Sequence, residues 1–223
     1  GLDHFLGIGT GVMVQIIVMA IITGCAVMSV AAGMDKGIKR LSELNVILAI
    51  ALMLFVMVTG PTVLVLKSLI QNVGAYLAAV VPRTMLTYAY EPNSWMADWT
   101  VFYWAWGIAW SPFVGMFIAR ISRGRTIREF VLGVLLVPAV VTFVWLAAFG
   151  NTAIWMDRSG AAPMVALVSP DALETGLFVL LDHLPLASIS GIVATALILS
   201  YSVTTADSGA LVIDTITSGD AED

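Results

Sequence analysis

The chain has 223 residues, of which 60% are hydrophobic and only 11% carry a charge. An ordinary soluble domain has about 25% charged residues, so this composition excludes that class and indicates that lipid surrounds most of the surface. The formal charge of −5 does not favour nucleic-acid binding, which needs a basic face. The single cysteine, Cys25, excludes an internal disulfide framework.

The beginning of the chain is not typical of a secreted protein. It lacks an initiator methionine, and its first apolar run has neither a basic leader nor a small-residue cleavage site, which a signal peptide would have. We therefore expect residues 1–223 to be an internal piece of a longer protein and to form a single membrane domain.

Two apolar stretches come first in the chain, at 11–33 and 44–66. Each is long enough to cross a bilayer as a helix, which takes about 20 residues, so each is predicted to be a membrane span. Segment 68–81 follows with apolar residues at helical spacing. That pattern is typical of an amphipathic helix lying in the membrane interface, and Pro82 is expected to end it.

The third predicted span, 97–119, carries a stripe of aromatic rings. Five of the seven tryptophans lie between residues 95 and 110. Steps of four and three residues place a series of rings on one helix face. The series is Trp99, Tyr103, Trp106, Trp110, Phe113 and Phe117. Asp98, near the start of the span, is expected to cap the helix.

Two of these rings lie too deep in the membrane to be interface anchors. Trp106 and Trp110 are roughly 12 to 18 Å along the helix from its start, at 1.5 Å per residue. Pro112 has no N–H for the carbonyl of Ile108 and should leave that carbonyl free beside the rings. The stripe can be simple core packing. Alternatively, its ring faces can bind a quaternary ammonium group, each ring contributing roughly 0.5 to 2 kcal/mol.

Basic residues concentrate in two loops, after the first and the third predicted spans. These loops hold seven of the ten lysines and arginines: Lys36, Lys39, Arg40, Arg120, Arg123, Arg125 and Arg128. Positively charged loops stay in the cytoplasm. We therefore expect the protein in the inner (plasma) membrane, with the N-terminus of this chain outside and its C-terminus in the cytoplasm.

The last predicted elements are a span at 130–150, an extracellular lid at 169–184 and a span at 185–213. In the fifth span Thr204 and Thr205 are adjacent hydroxyl residues, and such threonines often bond the carbonyl four residues earlier. Asp207 follows near the inner end. An ionisable group within a span is a functional candidate, although this one can also reach cytoplasmic water. His4 and His183 have no ligand spacing that would predict a metal site.

The third span resembles a known family. The run from Asp98 to Trp106 reads Asp-Trp-Thr-Val-Phe-Tyr-Trp-Ala-Trp. It matches nine of the ten positions in the signature of the betaine/choline/carnitine transporter (BCCT) family, and the tenth position falls on Gly107. Residues 111–130, 37–42 and 204–208 are similar to the same family. The resemblance covers nearly the whole chain, which would correspond to spans six to ten of the family's twelve.

This resemblance implies both a fold and a function. The fold is the leucine-transporter type, in which inverted repeats place the substrate between a bundle and a scaffold. The function is secondary transport of a quaternary-ammonium solute such as glycine betaine, choline or carnitine by alternating access, in a homotrimer that has the interfacial helix among its contacts. The implied substrate site is Tyr103, Trp106, Gly107, Trp110 and Phe113, and the implied sodium site is Thr204 and Thr205. No other cofactor is implied.

Gly107 departs from the family signature, which has a second tryptophan there. Losing that ring removes roughly 0.5 to 2 kcal/mol of ammonium binding. Either the substrate is bulkier or less dependent on cation-π contact, or a ring from another span fills the gap. Substrate identity and the choice between sodium coupling, proton coupling and exchange therefore stay open.

Three alternatives compete with transport of a quaternary ammonium. The same fold can carry a sulfonium or another zwitterion, which Gly107 motivates, or a membrane protein of this kind can sense the solute. An intramembrane enzyme is disfavoured because the sequence has no His-Glu-x-x-His or Gly-x-Ser-x-Gly motif and no paired intramembrane aspartates. We expect no enzymatic activity.

Overall fold

A computed structural model describes residues 3, 7, 9, 11–31, 39–91, 93–167 and 173–218, and these residues contain helices and no strand. The main helices are α1 (Val12–Ala31), α2 (Lys39–Thr59), α3 (Thr62–Thr84), α4 (Phe102–Ile121), α5 (Ile127–Ser159), α6 (Gly176–Asp182) and α7 (Ala187–Ser218). Five described helical segments are long and apolar enough to cross a membrane: α2, α3, α4 with the turn before it, α5 and α7. The predicted all-α polytopic membrane class is confirmed.

The second predicted span, 44–66, is divided in the structure. α2 stops at Thr59 and α3 begins at Thr62, so α3 takes in the end of that span together with the predicted interfacial segment 68–81. The division lies at Pro61, which has no N–H for the carbonyl of Met57. The hydroxyl of Thr62 donates to that carbonyl at 2.7 Å instead. α3 also continues through Pro82 to Thr84.

The set of helices long and apolar enough to cross a membrane therefore differs from the predicted set of spans by one helix. α3 is long and apolar enough to cross a bilayer, whereas the apolar part of α1, Val12–Met28, is shorter than the other five. α1 matches predicted span 11–33 as far as Ala31, and residues 32–38, with Lys36, lie outside the described residues. The predicted sidedness of the two chain ends depends on which of these helices crosses, and it stays a prediction.

The start of the aromatic helix differs from the prediction. A π-helical turn, Met96–Val101, leads into α4, and Asp98 lies inside this turn rather than at its cap. The backbone of Trp95 is already helical, and its N–H donates to Asn93 Oδ1 at 3.0 Å. Asn93 therefore takes the role expected of Asp98, because the helix begins a turn earlier than its apolar run.

A reciprocal pair of hydrogen bonds fixes the start of α5. Thr126 N donates to Glu129 Oε2 at 2.9 Å, and Glu129 N donates to Thr126 Oγ1 at 3.3 Å. This capping box satisfies amide groups that a helix start leaves unpaired. α5 then runs for 33 residues, well past the predicted end of its span at 150. The predicted lid, 169–184, contains the short helix α6, and residues 168–172 lie outside the described residues.

The chain forms two compact units, Gly1–Leu69 with Val141–Ser208 and Ile70–Val140 with Gly209–Asp223. The first unit has an apolar core to which α2, the second half of α5, α6 and α7 contribute. Its buried members are Leu52, Val56, Met156, Ala162, Phe178, Leu180, Leu181, Leu184, Ala194 and Leu197. The second unit contains α4, and none of the described side chains of α4 or of the π-helical turn is buried.

Candidate functional site

The aromatic face of α4 lines a cavity of about 640 Å³. It brings together Trp106, Gly107 and Trp110 from the predicted site, and Phe130 from the start of α5 adds a third ring. The rest of the lining is small or aliphatic apart from one hydroxyl: Ser111, Val114, Gly115, Ile118 and Ala119. This cavity, as far as the described residues define it, offers ring faces and alkyl groups but no charged side chain.

Tyr103 and Phe113 contact the cavity-lining indoles edge-on. The ring centres of Tyr103 and Trp106 are 6.0 Å apart, and those of Trp110 and Phe113 are 5.2 Å apart, with interplanar angles of 67° and 82°. Edge-to-face contact is the arrangement that aromatic quadrupoles favour. These two predicted site residues therefore hold the indoles in place rather than line the large cavity themselves.

Gly107 lies where two cavities meet along α4. Together with Ser111 it lines both the large cavity and a second one of about 350 Å³, to which Tyr103 and Trp104 contribute. A Cβ added at Gly107 would meet no atom within 4 Å. Among the described residues, no atom therefore blocks the point at which a side chain at position 107 would begin.

The prediction of a free carbonyl beside the rings is wrong. The hydroxyl of Ser111 donates to the carbonyl of Ile108 at 2.8 Å, which replaces the N–H that Pro112 lacks. α4 continues through Pro112. The cavity therefore presents the lone pairs of one hydroxyl rather than an unpaired carbonyl.

A second candidate site, formed by polar side chains, lies on α7 in the first compact unit. The side chain of Asn45 on α2 is buried. Its Oδ1 accepts a hydrogen bond from the Ser200 hydroxyl, and its Nδ2 donates to Thr204 Oγ1 at 3.4 Å. The Thr204 hydroxyl itself donates to the carbonyl of Tyr201 at 3.0 Å or of Ser200 at 3.2 Å. Thr204 thus shows the backbone bonding common for threonine in membrane helices and also joins two helices.

The neighbours of Thr204 differ sharply in exposure. Thr205 is exposed. Asp207 is fully buried, and neither of its carboxylate oxygens has a hydrogen-bond partner in the part of the chain that the structure describes. The alternative in which Asp207 reaches water is therefore not what the structure shows. A buried carboxylate without a partner is costly and marks a functional candidate.

Two residues of these sites were not predicted from the sequence, Phe130 and Asn45. Phe130 stands at the start of a predicted span and has no periodic relation to the stripe on α4. Asn45 is one polar residue in a long apolar run, and its partners lie 155 and 159 residues further along the chain. The available signal for Asn45 was its side chain, because a lone amide within a span must find a partner.

Comparisons with known proteins bear on this site. A family model described as betaine/carnitine/choline family transporter (BCCT) matches residues 1–223. Similar curated proteins include a glycine betaine transporter of Acinetobacter baylyi, 44% identical over 97% of this chain, and the glycine betaine transporter OpuD of Bacillus subtilis, 43% identical over 98%. A high-affinity choline transport protein of Escherichia coli is 45% identical over 98%. The chain spans 33%, 42% and 32% of the lengths of these relatives.

Proposed function

The chain belongs to the betaine/carnitine/choline transporter family, and on that premise we propose that it is part of a secondary active transporter of quaternary-ammonium solutes. The substrate class is that of glycine betaine, choline or carnitine, which the names of the three relatives support. Because the chain spans only a third to two fifths of their lengths, the rest of the protein would complete the substrate site.

One observation carries this proposal, the uncharged aromatic cavity on α4. A quaternary ammonium has no N–H to donate, so hydrogen bonds cannot hold its charge. The faces of indole rings attract such a cation, and the attraction grows as water is removed. Trp106, Trp110 and Phe130 supply three rings around one space. The lining contains no carboxylate. A carboxylate would bind the cation so tightly that its release from the site would be slow.

The sharpest test separates charge from shape. We would measure displacement of a bound betaine from the purified full-length protein by choline and by its uncharged isostere, 3,3-dimethylbutan-1-ol. Ring faces that bind a cation should favour choline by at least about fivefold, or roughly 1 kcal/mol. Equal displacement by the two compounds would mean that the cavity only accommodates bulk, and the proposal would fail.

A second candidate substrate keeps the same chemistry with a different head group. A sulfonium is also a permanent cation without N–H, and the open space at Gly107 admits a head group of different shape. A competition panel of betaine, choline, carnitine and dimethylsulfoniopropionate decides between the classes. A sulfonium that displaces betaine more strongly than the three ammonium compounds do would transfer the assignment to that class.

We propose further that sodium is the coupling ion and that α7 provides ligands for it. Hydroxyl and carboxylate oxygens are the ligands that hard cations take. The exposed hydroxyl of Thr205 and the lone pairs of Thr204 supply two oxygens. The buried side chain of Asp207 lies on the same helix, one turn beyond Thr204, and its two oxygens have no hydrogen-bond partner among the described residues. Each of these groups fits a monovalent cation, and the remaining ligands would come from elsewhere in the protein.

The two threonines provide a matched pair for testing this. Thr205→Ala should raise the sodium concentration needed for half-maximal uptake while leaving thermal stability unchanged, since Thr205 is exposed and joins no helices within the described residues. Thr204→Ala should change both, because it also removes the bond from Asn45. Uptake by Thr205→Ala with unaltered sodium dependence, or uptake driven equally well by a proton gradient without sodium, would rule sodium coupling out.

The wider architecture is proposed on the family resemblance. It comprises the inverted-repeat fold, a homotrimer, and a plasma-membrane location with the arginine-rich loop at 123–128 in the cytoplasm. Whether α3 crosses the membrane or lies in its interface decides the sidedness of the two chain ends. Labelling of single cysteines placed before and after α3 in intact cells distinguishes these arrangements.

A further inference from the structure

We propose that the outer part of α5 and the start of α3 form a binding site for the head group of an anionic phospholipid. A cavity of about 400 Å³ lies there, within the first compact unit. It is lined by a guanidinium, an indole, an amide and two hydroxyls beside two aliphatic side chains: Arg158, Trp155, Asn151, Ser68, Ser159, Leu64 and Ile154. Neither the aromatic cavity nor the α7 hydroxyls take part in it.

The α5 residues of this cavity form one stripe. Positions 151, 154, 155, 158 and 159 recur at three- and four-residue steps, which places them on one face of the helix. The cavity contains no acidic side chain among its lining residues. Asp157, next to Arg158 in the chain, accepts the N–H of Val165 at 2.9 Å and so is engaged with the following segment. Among the lining residues, the charged group is therefore the guanidinium of Arg158.

Two donors in the cavity lack partners. Arg158 is exposed, and within the described part of the chain it has neither an ion pair nor a hydrogen bond to another side chain. Asn151 lines the cavity, and its Nδ2 has no hydrogen-bond partner among the described residues. Because this atom is shielded from solvent, the amide has to rotate toward the cavity before it can donate to a bound phosphate. A guanidinium fork and an amide N–H are the donors that bind a phosphate ester, and charge-assisted bonds to phosphate are the strong ones.

The length of α5 places this cavity at the level of lipid head groups. The helix has 33 residues, about 50 Å at 1.5 Å per residue, whereas the hydrocarbon core is about 30 Å thick. It begins beside Arg125 and Arg128, which mark one membrane surface. About 20 residues later, near position 150, the helix leaves the core, so 151–159 extend into the head groups of the opposite leaflet.

The apolar side chains favour a lipid over a free anion. Leu64 and Ile154 are 44% and 53% exposed beside the polar groups, and they would pack on an acyl chain that inorganic phosphate does not have. Trp155, 41% exposed, has the amphipathic ring that is enriched at this depth. The hydroxyls of Ser68 and Ser159 already donate to the carbonyls of Val65 and Met156. A ligand with a phosphate and an attached apolar chain therefore matches the guanidinium and the aliphatic side chains of the cavity.

The test measures lipid binding to the purified full-length protein by native mass spectrometry. The probes are phosphatidylglycerol, phosphatidylcholine and inorganic phosphate, and the variants are Arg158→Gln, Asn151→Leu and, as a matched control outside the cavity, Arg83→Gln. We expect phosphatidylglycerol to bind the wild type more tightly than phosphatidylcholine. We expect about tenfold weaker binding for Arg158→Gln, severalfold weaker binding for Asn151→Leu, and less than twofold change for Arg83→Gln.

Several outcomes would overturn the proposal. Unchanged phosphatidylglycerol binding in both cavity variants means that the rest of the protein or a second copy covers the site. An equal loss in Arg83→Gln means that the lipid responds only to overall charge. Competition by inorganic phosphate at the same concentration as the lipid means that the site takes a small anion. Because Asn151→Leu leaves the charge unchanged, its weaker binding would support the cavity even if Arg158→Gln proved unstable.

Discussion

The polar region on α7 and the aromatic region on α4 are built in opposite ways. On α7, Ser200 and Thr204 meet the buried amide of Asn45, and the apolar residues of the same unit pack into a core. On α4, the indoles of Trp106 and Trp110 are 52% and 42% exposed. The rings that contact them, Tyr103 and Phe113, belong to the same helix. The hydrogen bonds of the Asn45 junction close within these residues, whereas the indoles of α4 present an exposed surface.

This difference separates stability from recognition. A complete junction loses folding free energy when a side chain is removed, because its partners lose their contacts. An exposed aromatic face loses little stability on truncation, since few neighbours depend on it, but it loses affinity for whatever it binds. Substitutions in the packed region should therefore change the unfolding temperature, whereas substitutions in the exposed region should change ligand affinity.

The largest effect is expected where α2 ends against α5 in the packed unit. A Cβ at Gly60 would lie 2.7 Å from the carbonyl oxygen of Val56 and 3.2 Å from Thr152 Oγ1. Thr152 cannot give way easily, because it is fully buried and donates to the carbonyl of Ala148 at 2.6 Å. Gly60→Ala should therefore destabilise the protein by about 1–3 kcal/mol, as overpacking does.

Thermal unfolding of the full-length protein in detergent measures this effect. Gly150→Ala is the matched control, because a Cβ there meets nothing within 4 Å on the same helix as Thr152. That control should be neutral or slightly stabilising. If both substitutions lower the unfolding temperature equally, overpacking at Gly60 does not explain the loss of stability.

The next effect concerns the exposed stripe. Trp110→Ala removes one cavity wall and should weaken ammonium binding by about 1–2 kcal/mol, which is about 5- to 30-fold in Kd. Trp104→Ala, on the same helix but outside the large cavity, should change Kd by less than about threefold. Titration of betaine against the full-length protein measures both. Equal losses in the two variants would indicate packing rather than recognition, and a large drop in stability for Trp110→Ala would contradict the contrast drawn above.

A smaller effect is expected at the polar junction. Asn45→Leu removes both bonds between α2 and α7, yet the Ser200 hydroxyl keeps the carbonyl of Leu197 at 3.1 Å and Thr204 keeps that of Tyr201. The cost should therefore be about 1 kcal/mol, within the range for hydrogen bonds between membrane helices. Thermal unfolding should show this loss while Kd for betaine stays the same. A selective loss of affinity without loss of stability would place Asn45 in the binding machinery instead.

The sequence predicted the parts of this molecule that depend on local periodicity. The stripe on α4 follows from three- and four-residue steps, and the cavity does bring Trp106, Gly107 and Trp110 together. The break at Gly60-Pro61 was missed because the apolar run continues across it, so hydropathy has no boundary there. Asn45 and Phe130 were missed because each belongs to its site through contacts distant in the chain, which no spacing rule encodes.

The proline positions show a further limit of sequence reasoning. A missing N–H was expected to leave the carbonyl of Ile108 free, but the neighbouring Ser111 hydroxyl takes that bond, as Thr62 does for Met57 near Pro61. In lipid an unpaired carbonyl costs several kcal/mol, so an adjacent hydroxyl replaces the lost donor. A serine or threonine beside a proline in an apolar run therefore predicts a satisfied carbonyl.

The smallest expected effect is also the one that most directly tests the departure from the family signature. Gly107→Trp restores the indole that the family has at this position, and its Cβ meets no atom within 4 Å. A further ring face should tighten binding of a trimethylammonium group by about 0.5–1 kcal/mol, or two- to fivefold. It should also fill space between the two cavities that Gly107 and Ser111 share, so a bulkier solute should bind less tightly.

The control for this substitution is Gly107→Leu, which fills the same space without a quadrupole. If open space at position 107 sets the substrate size, both variants reject the bulkier solute, but only Gly107→Trp gains affinity for betaine. If another span already supplies the missing ring, Gly107→Trp should clash with it and lose affinity for every compound tested. A gain for Gly107→Leu equal to that for Gly107→Trp would show that α4 recognises bulk rather than charge, and the distinction between its aromatic face and ordinary packing would be lost.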